Sequence, residues 1–266
     1  GDLSLKEMYK QLFTIYRRSL FVGIMLQVWQ QLAGINTAMY YGPAILEQAG
    51  LGGDTNEQTL IRAIPLGLIN FLGTIVAVFY TDKLGRRWIM LRCLPLLMIC
   101  MTGLSLGMYL FYYQDLKSTG TIVSVSSLFL YLACFSPGMG PQPWTVNSEI
   151  YPLHLRATGV SISTTANWLT NYVVSAVFLT STETNLGKVL TYLLLGVFCL
   201  MAFVFIYYML PETKGKPLDE IIELFKPQRP DSSEQKFQYD GEQESGVETQ
   251  GDVGEGKKKR SQDKLQ

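Results

Sequence analysis

Amide and indole side chains in long stretches without charge are the groups of this sequence that could do chemistry. An Asn or Gln amide offers donors and an acceptor at a fixed spacing, which suits a hydroxyl group that also does both. A Trp ring adds an apolar surface for the C–H side of a saturated ring. The candidates are Gln30, Gln31, Asn36, Asn70, Trp144, Asn167, Trp168 and Asn171. They favour a binding site for a neutral, polyhydroxylated molecule; the alternative is that they only join helices to each other.

Other kinds of site lack the residues they need. No Asp, Glu, Lys or Arg stands beside these side chains, so an ionic cargo would find no counter-charge here. His154 is the only histidine, and the positions of the four cysteines indicate free thiols. The glycine-rich stretches match neither a phosphate loop nor a dinucleotide-binding loop. The sequence therefore predicts no catalytic residue, no metal, no cofactor and no enzyme activity.

The sequence has six windows free of charged residues, and four of them carry the candidate side chains. A helix needs roughly 20 apolar residues to cross the hydrocarbon core of a membrane, and each window reaches that length or falls short by about one residue. These windows predict an all-α membrane protein with spans at 19–46, 63–81, 90–113, 121–146, 157–180 and 188–210. Short outer loops at 48–61, 114–120 and 181–187 would connect them.

Lys and Arg are concentrated on one set of flanks, which predicts the orientation. The segments around 6–18, 83–92, 156 and 214–226 hold most of them, whereas the opposite flanks hold only Arg62, Lys117 and Lys188. Both termini are therefore expected in the cytosol. Residues 1–18 are expected to form an amphipathic linker helix, 19–210 the six-span bundle, 211–226 a short cytosolic helix and 227–266 a disordered tail.

Two of the six predicted spans are interrupted. The first contains Gly34 and, further on, Gly42-Pro43, and the fourth has three prolines within 137–143. Breaks inside a membrane are tolerated where they face protein or water, and in transporters they commonly mark the binding site. Because the two spans are three apart, they indicate two repeats of three helices. Gln31 and Asn36 lie about 140° apart on a regular helix, so only a break near Gly34 would bring them together.

Several ordered motifs between residues 17 and 225 resemble the sugar porter family of the major facilitator superfamily. The motifs are Gln30-Gln31-Leu32-Ala33-Gly34-Ile35-Asn36 with Tyr40-Tyr41, Asp82-Lys83-Leu84-Gly85-Arg86-Arg87, Pro143-Trp144 with Ser148-Glu149-Ile150-Tyr151-Pro152, Arg156 to Gly159, and Pro211-Glu212-Thr213-Lys214-Gly215. By this resemblance the chain is the C-terminal six-transmembrane-helix half of a major facilitator fold. The six-span N-terminal half would be a missing partner.

The resemblance also implies roles for individual residues. The amides and indoles named above would line or adjoin a central sugar site. Tyr40 and Tyr41 would form an outer gate. An inner charge network, partly shared with the missing half, would consist of Asp82, Arg86, Arg87, Glu149, Arg156 and Glu212. The partners would be a small neutral polyol or sugar and the lipid bilayer, with no nucleic acid.

The segment from Gly138 to Pro152, together with Ala166-Asn167-Trp168, is most similar to proton-coupled myo-inositol transporters. Facilitative glucose carriers often have Glu where this chain has Ser136, which also favours inositol. The short 114–120 loop counts the other way, because many inositol transporters have a large insert there. We therefore expect a myo-inositol–proton symporter of the plasma membrane that works by alternating access. A facilitative hexose transporter and a non-transporting sugar sensor are the alternatives.

Overall fold

The protein folds as a bundle of α-helices in the computed structural model, which describes residues 4–47 and 55–226. Within these residues there is no β-strand. The helices are α1 (Leu5–Thr14), α2 (Arg17–Leu32), α3 (Ile35–Leu46), α4 (Asn56–Leu84), α5 (Arg86–Tyr113), α6 (Lys117–Phe135), α7 (Gln142–Glu149), α8 (Leu153–Ser181), α9 (Asn185–Met209) and α10 (Leu218–Phe225). The expected disorder of 227–266 lies outside the described residues and stays a prediction.

Four helices in the described ranges are long and apolar enough to cross a membrane. They are the Ala63–Leu84 part of α4, and α5, α6 and α9. The other two charge-free windows do not reach the same hydropathy in one continuous helix. The first is divided into α2 and α3, of 16 and 12 residues, and the fifth falls on α8, which is rich in Ser, Thr and Asn. These two windows, on α2, α3 and α8, carry most of the candidate amides.

Helix α5 is the centre of the bundle and packs between α6 and α9. Its contact with α6 is close because small residues face each other. A Cβ added to Gly103 would lie 2.4 Å from Ser127 Oγ, and one added to Gly107 would lie 2.3 Å from Ser124 Oγ. Small residues allow this approach, which increases van der Waals contact where lipid provides no hydrophobic driving force. Helix α2 packs along α8, and both also contact α9.

The break at Gly34 separates α2 from α3. Gly34 has φ +92°, a left-handed conformation that a residue with a Cβ adopts only at a cost. The backbone is satisfied locally, because the hydroxyl of Tyr131 on α6 donates to the Ala33 carbonyl at 2.8 Å. Thr37 Oγ1 donates to the Gly34 carbonyl at 2.6 Å. The turn is therefore fixed by hydrogen bonds from two sides.

Short helices cover the end of the bundle where α2 begins. Ser4 forms a capping box with Glu7 at the start of α1, and Leu12 of the same helix is fully buried. Helix α10 buries Ile221 and Phe225 and contacts α2 and α7. The four cysteines are free thiols, as predicted.

Candidate functional site

Two prolines at the break between α6 and α7, one just before α7 and one in its first turn, leave carbonyl groups without their helical partners. A helical carbonyl accepts from the N–H four residues later, and Pro141 and Pro143 have no N–H. The carbonyls concerned belong to Pro137 and Met139. Gln142 Nε2 lies 3.2 Å from the Pro137 oxygen, and Gln30 Nε2 of α2 lies 2.9 Å from the Met139 oxygen. Side-chain amides thus replace the missing backbone donors.

Gln30 starts a chain of amide hydrogen bonds whose direction is determined by these carbonyls. Its Nε2 also donates to the Gly140 carbonyl at 2.6 Å, so both of its N–H bonds are used. A carbonyl only accepts, so the Gln30 nitrogen must face the break and Oε1 must face away. Oε1 then accepts from Asn167 Nδ2 of α8 at 2.9 Å.

The next amides follow in the same direction. Since Asn167 presents its nitrogen to Gln30, its Oδ1 is left to accept from Gln31 Nε2 at 2.8 Å. Gln31 Oε1 in turn accepts from Asn36 Nδ2 at 2.5 Å and from Asn171 Nδ2 at 3.3 Å. The orientation of every amide in this chain therefore derives from the proline break.

Hydrogen-bonding capacity remains at one end of the amide chain. Gln30 is 5% exposed and Asn167 1% exposed, and their donors are satisfied by protein groups. Asn36 and Asn171 are partly exposed, and each uses one N–H in the chain. Each keeps a second N–H and its Oδ1, and Gln31 keeps one N–H. These three residues form what we call the open end of the amide chain.

Gln27 belongs to the chain although the sequence analysis did not single it out. It is fully buried on α2, and Asn167 Nδ2 donates to its Oε1 at 2.8 Å and to its backbone oxygen at 3.2 Å. The sequence could have indicated this residue, because Gln27 lies four residues before Gln31 in the same charge-free window. The two residues are therefore on the same helix face.

Asn70 lies apart from the amide chain. Its Oδ1 is 2.7 Å from Ser136 Oγ, at the end of α6, and no hydrogen bond joins it to the amides of α2 or α8 in the described part of the chain. The helices are close here, since a Cβ on Gly73 would lie 2.5 Å from Ser136 Cβ. Asn70 thus joins α4 to the start of the break. Its role in substrate binding stays a prediction.

The two tryptophans and the two tyrosines have different surroundings. Trp144 on α7 is 39% exposed and Trp168 on α8 is 62% exposed. Trp168 follows Asn167, so it lies about 100° round the helix from the amide chain. Tyr40 and Tyr41 lie on α3, but their side chains are outside the described part of the structure. The outer gate stays a prediction.

Three of the six residues predicted for the inner charge network form ion pairs with one another. Arg86 lies 2.9 Å from Asp82 and 2.9 Å from Glu149. The other carboxylate oxygen of Glu149 accepts from Thr213 Oγ1 at 2.9 Å. These contacts tie the α4–α5 turn to the end of α7 and to the segment after α9. A cavity of about 410 Å³ lies beside them.

The other three predicted residues make different contacts. Glu212 accepts from the backbone N–H of Trp88 at 3.1 Å, in the first turn of α5, so it acts as a helix cap. Arg87 donates to the Tyr207 carbonyl at 2.8 Å and lies over the Tyr207 ring. Arg156 forms no ion pair with a described Asp or Glu. A helix end thus takes the Glu212 carboxylate, and a backbone carbonyl and an aromatic ring take the Arg87 guanidinium. Spacing along the sequence does not reveal these contacts.

Comparisons with known proteins agree with this architecture. A family model described as "Sugar (and other) transporter" matches residues 3–225. The chain is 34% identical over 225 residues to myo-inositol transporter 2 of Schizosaccharomyces pombe, which covers 82% of this chain and 39% of that protein. It is 33% identical over 210 residues to a facilitated trehalose transporter of Apis mellifera ligustica, which covers 78% of this chain and 40% of that protein.

A solved structure points to the same fold. The xylose transporter of Escherichia coli in an inward-open conformation matches with a TM-score of 0.59 and 31% identity, over 79% of this chain and 42% of that chain. The chain spans about two fifths of the length of these relatives. The matches confirm the predicted all-α multi-pass membrane fold and the prediction that the chain is not an enzyme. The chain belongs to the sugar porter family of the major facilitator superfamily.

Proposed function

We propose that the protein transports a neutral cyclic polyol across the membrane, with myo-inositol as the substrate and proton symport as the mode. The observation that carries the proposal is the open end of the amide chain. Gln31, Asn36 and Asn171 together offer three N–H donors and two carbonyl oxygens that the described protein groups do not use. Neighbouring hydroxyls of a polyol need this mixture, because each hydroxyl donates one hydrogen bond and accepts others.

The absence of charge around the amide chain supports a neutral substrate. The chain contains only amides and backbone carbonyls, and the described ion pairs lie elsewhere, at Arg86, beside the start of α6 and on α10. A charged substrate in a buried site without a counter-charge would lose its hydration without compensation. A neutral polyol exchanges water hydrogen bonds for amide hydrogen bonds at a much smaller cost.

Two features favour inositol over hexoses. Ser136 gives Asn70 an uncharged hydroxyl partner at the position where facilitative glucose carriers often have Glu. The relatives include proteins named as inositol transporters from yeast and human. Another feature favours the second candidate, a facilitative hexose transporter: only three residues separate Tyr113 at the end of α5 from Lys117 at the start of α6, which leaves no room for an inositol-type insert.

The complete transporter would contain a second six-span half that faces the amide chain. Substrate would bind between the halves, and rocking of one half against the other would expose it to either side. The contacts of Arg86, Asp82 and Glu149 would hold the inner side closed, and Tyr40 and Tyr41 would help to close the outer side. The Lys and Arg distribution favours cytosolic termini, and we propose the plasma membrane as the location.

Uptake of labelled substrates by cells that express the full-length protein tests this proposal. We expect saturable myo-inositol uptake that unlabelled glucose inhibits weakly. A protonophore should reduce accumulation against a gradient without abolishing exchange. Glucose uptake without myo-inositol uptake would favour the hexose candidate, and specific binding without any uptake would favour the sensor. Insensitivity of accumulation to the protonophore would remove the symport part of the proposal.

A further inference from the structure

A row of buried polar side chains continues from the amide chain toward the end of the bundle where α2 begins. On α2, Ser19 and Gln27 lie eight residues apart with Gly23 between them, so all three share one helix face. Ser163 on α8 packs against this face. Asn147 comes from α7 and Tyr151 from the segment between α7 and α8. We call Ser19, Gln27, Asn147, Tyr151 and Ser163 the polar seam.

Several atoms of the polar seam have no hydrogen-bond partner among the described residues. Asn147 is fully buried, and both its Nδ2 and its Oδ1 are unpaired. Gln27 Nε2 and Ser19 Oγ are also unpaired, and both residues are fully buried. A buried polar atom that nothing satisfies destabilises the fold. Four of them along one seam therefore require a partner.

Gly23 brings the polar groups of the seam close together. A Cβ added to Gly23 would lie 2.3 Å from Tyr151 Oη, 2.7 Å from Asn147 Oδ1 and 3.0 Å from Ser163 Oγ. These three atoms therefore surround one point on α2. The hydroxyls of Tyr151 and Ser163 are 3.1 Å apart and bond to each other, which leaves the Asn147 amide as the unsatisfied member.

The unpaired atoms determine what could satisfy them. They comprise amide N–H donors, an amide oxygen acceptor and a hydroxyl that does both, and none of them is charged. A cation would use only the acceptors and an anion only the donors, so neither would satisfy the whole set. A sugar-sized molecule cannot reach residues that are fully buried. Water both donates and accepts, and buried waters typically make about three hydrogen bonds to polar groups of this kind.

We propose that the polar seam is a binding site for ordered water between α2, α7 and α8, with the amides of Asn147 and Gln27 as its principal ligands. The site differs from the open end of the amide chain, whose outer members Asn36 and Asn171 are partly exposed. It does not depend on which substrate is transported. Asn147 lies one turn after Trp144 on α7, so the water joins the helix that carries Trp144 to α2.

Radiolytic hydroxyl labelling of the full-length protein tests the proposal, because radicals generated from a bound water modify the side chains next to it. Tyr151 is the reporter and Tyr131 is the matched control. Both tyrosines are fully buried. The Tyr131 hydroxyl bonds to the Ala33 carbonyl outside the polar seam, whereas the Tyr151 hydroxyl bonds to Ser163 next to the unpaired Asn147 amide. We expect Tyr151 to be modified several-fold faster than Tyr131. Equal rates at the two tyrosines would overturn the proposal.

Variants at Asn147 make the test specific. Asn147→Leu has a similar shape without polar atoms, so it should displace the water and lower Tyr151 labelling to the rate of Tyr131. Asn147→Ser keeps a polar group and should retain faster labelling. Unchanged labelling of Tyr151 in Asn147→Leu would contradict the assignment. If Tyr131 labelling rises in a variant, that variant is unfolded. The proposal is then tested by the labelling rates of Tyr151 and Tyr131 in the protein without substitutions.

Discussion

Replacement of Gln31 by Ala tests the amide chain at the member that connects Asn167 to Asn36 and Asn171. Gln31 donates to Asn167 and accepts from Asn36 and Asn171. The truncated side chain would leave Asn167 Oδ1, which is almost fully buried, without a donor. It would also release the Asn36 and Asn171 amides from the orientation in which their oxygens face outward.

The expected loss follows from these contacts. A buried hydrogen-bonding group that is left unpaired costs about 1–3 kcal/mol. If the bound polyol loses its hydrogen bond to Gln31, a cost of this size appears as a weaker free energy of binding. A loss of about 1–3 kcal/mol corresponds to about 5- to 150-fold weaker affinity. Because the chain acts as a unit, adding Asn36→Ala to Gln31→Ala should cost less than the sum of the two single changes.

Equilibrium binding of labelled myo-inositol to the purified full-length protein is the assay, because Kd reports binding without the transport steps. Gln114→Ala is the matched control. Its amide bonds to the Tyr109 hydroxyl in an exposed position outside the amide chain, and we expect an unchanged Kd. Asn70→Ala combined with Gln31→Ala should be additive, since Asn70 bonds to Ser136 and not to the chain.

Two results would refute this reasoning. An unchanged Kd in Gln31→Ala would show that the open end of the amide chain does not contact the substrate. Full additivity between Gln31→Ala and Asn36→Ala would show that the 2.5 Å bond between them does not couple the two residues.

Three further predictions concern the supports of the site. Gln27→Leu should weaken binding by about 1 kcal/mol or less in the same assay, because the Gln27 backbone oxygen still accepts from Asn167; a loss as large as that of Gln31→Ala would contradict the order of the chain. Gly34→Ala should lower the unfolding free energy by about 1–3 kcal/mol, measured as a fall in melting temperature, because φ is +92° there. In Gly67→Ala, where an added Cβ meets nothing within 4 Å, no such fall is expected, and equal effects would count against strain at Gly34. Arg86→Ala should lower the maximal uptake rate several-fold with little change in Kd, because Arg86 bonds to Asp82 and Glu149 away from the amide chain; a normal rate would argue against an inner gate there, and Arg86→Lys serves as the charge-retaining control.

The sequence predicted the parts of the site that depend on helix periodicity. Asn167 and Asn171 are four residues apart and both contact Gln31. The sequence also indicated that only a break near Gly34 would bring Gln31 and Asn36 together. The left-handed turn at Gly34 is such a break, and the two amides are 2.5 Å apart. These features follow from local geometry that a glycine and a four-residue spacing are enough to indicate.

Other features depend on tertiary contacts that spacing does not encode. Gln30 could have faced the substrate, but the carbonyl freed by Pro143 takes its amide N–H instead. Asn70 belongs to another pair of helices. Glu212 caps α5 because the chain after α9 returns to the Gly85 turn, where a Cβ on Gly85 would lie 2.7 Å from its carboxylate. In each case the partner is a group on another segment of the chain, which the spacing of residues along the sequence does not identify.

A structure of the full-length protein with bound myo-inositol tests the central claim most directly. The account predicts ring hydroxyls within hydrogen-bond distance of Asn36, Asn171 and Gln31, with the Gln30 nitrogen still on the carbonyls of Met139 and Gly140. A ring bound away from these amides, or a Gln30 amide turned from the proline break toward the ring, would contradict it.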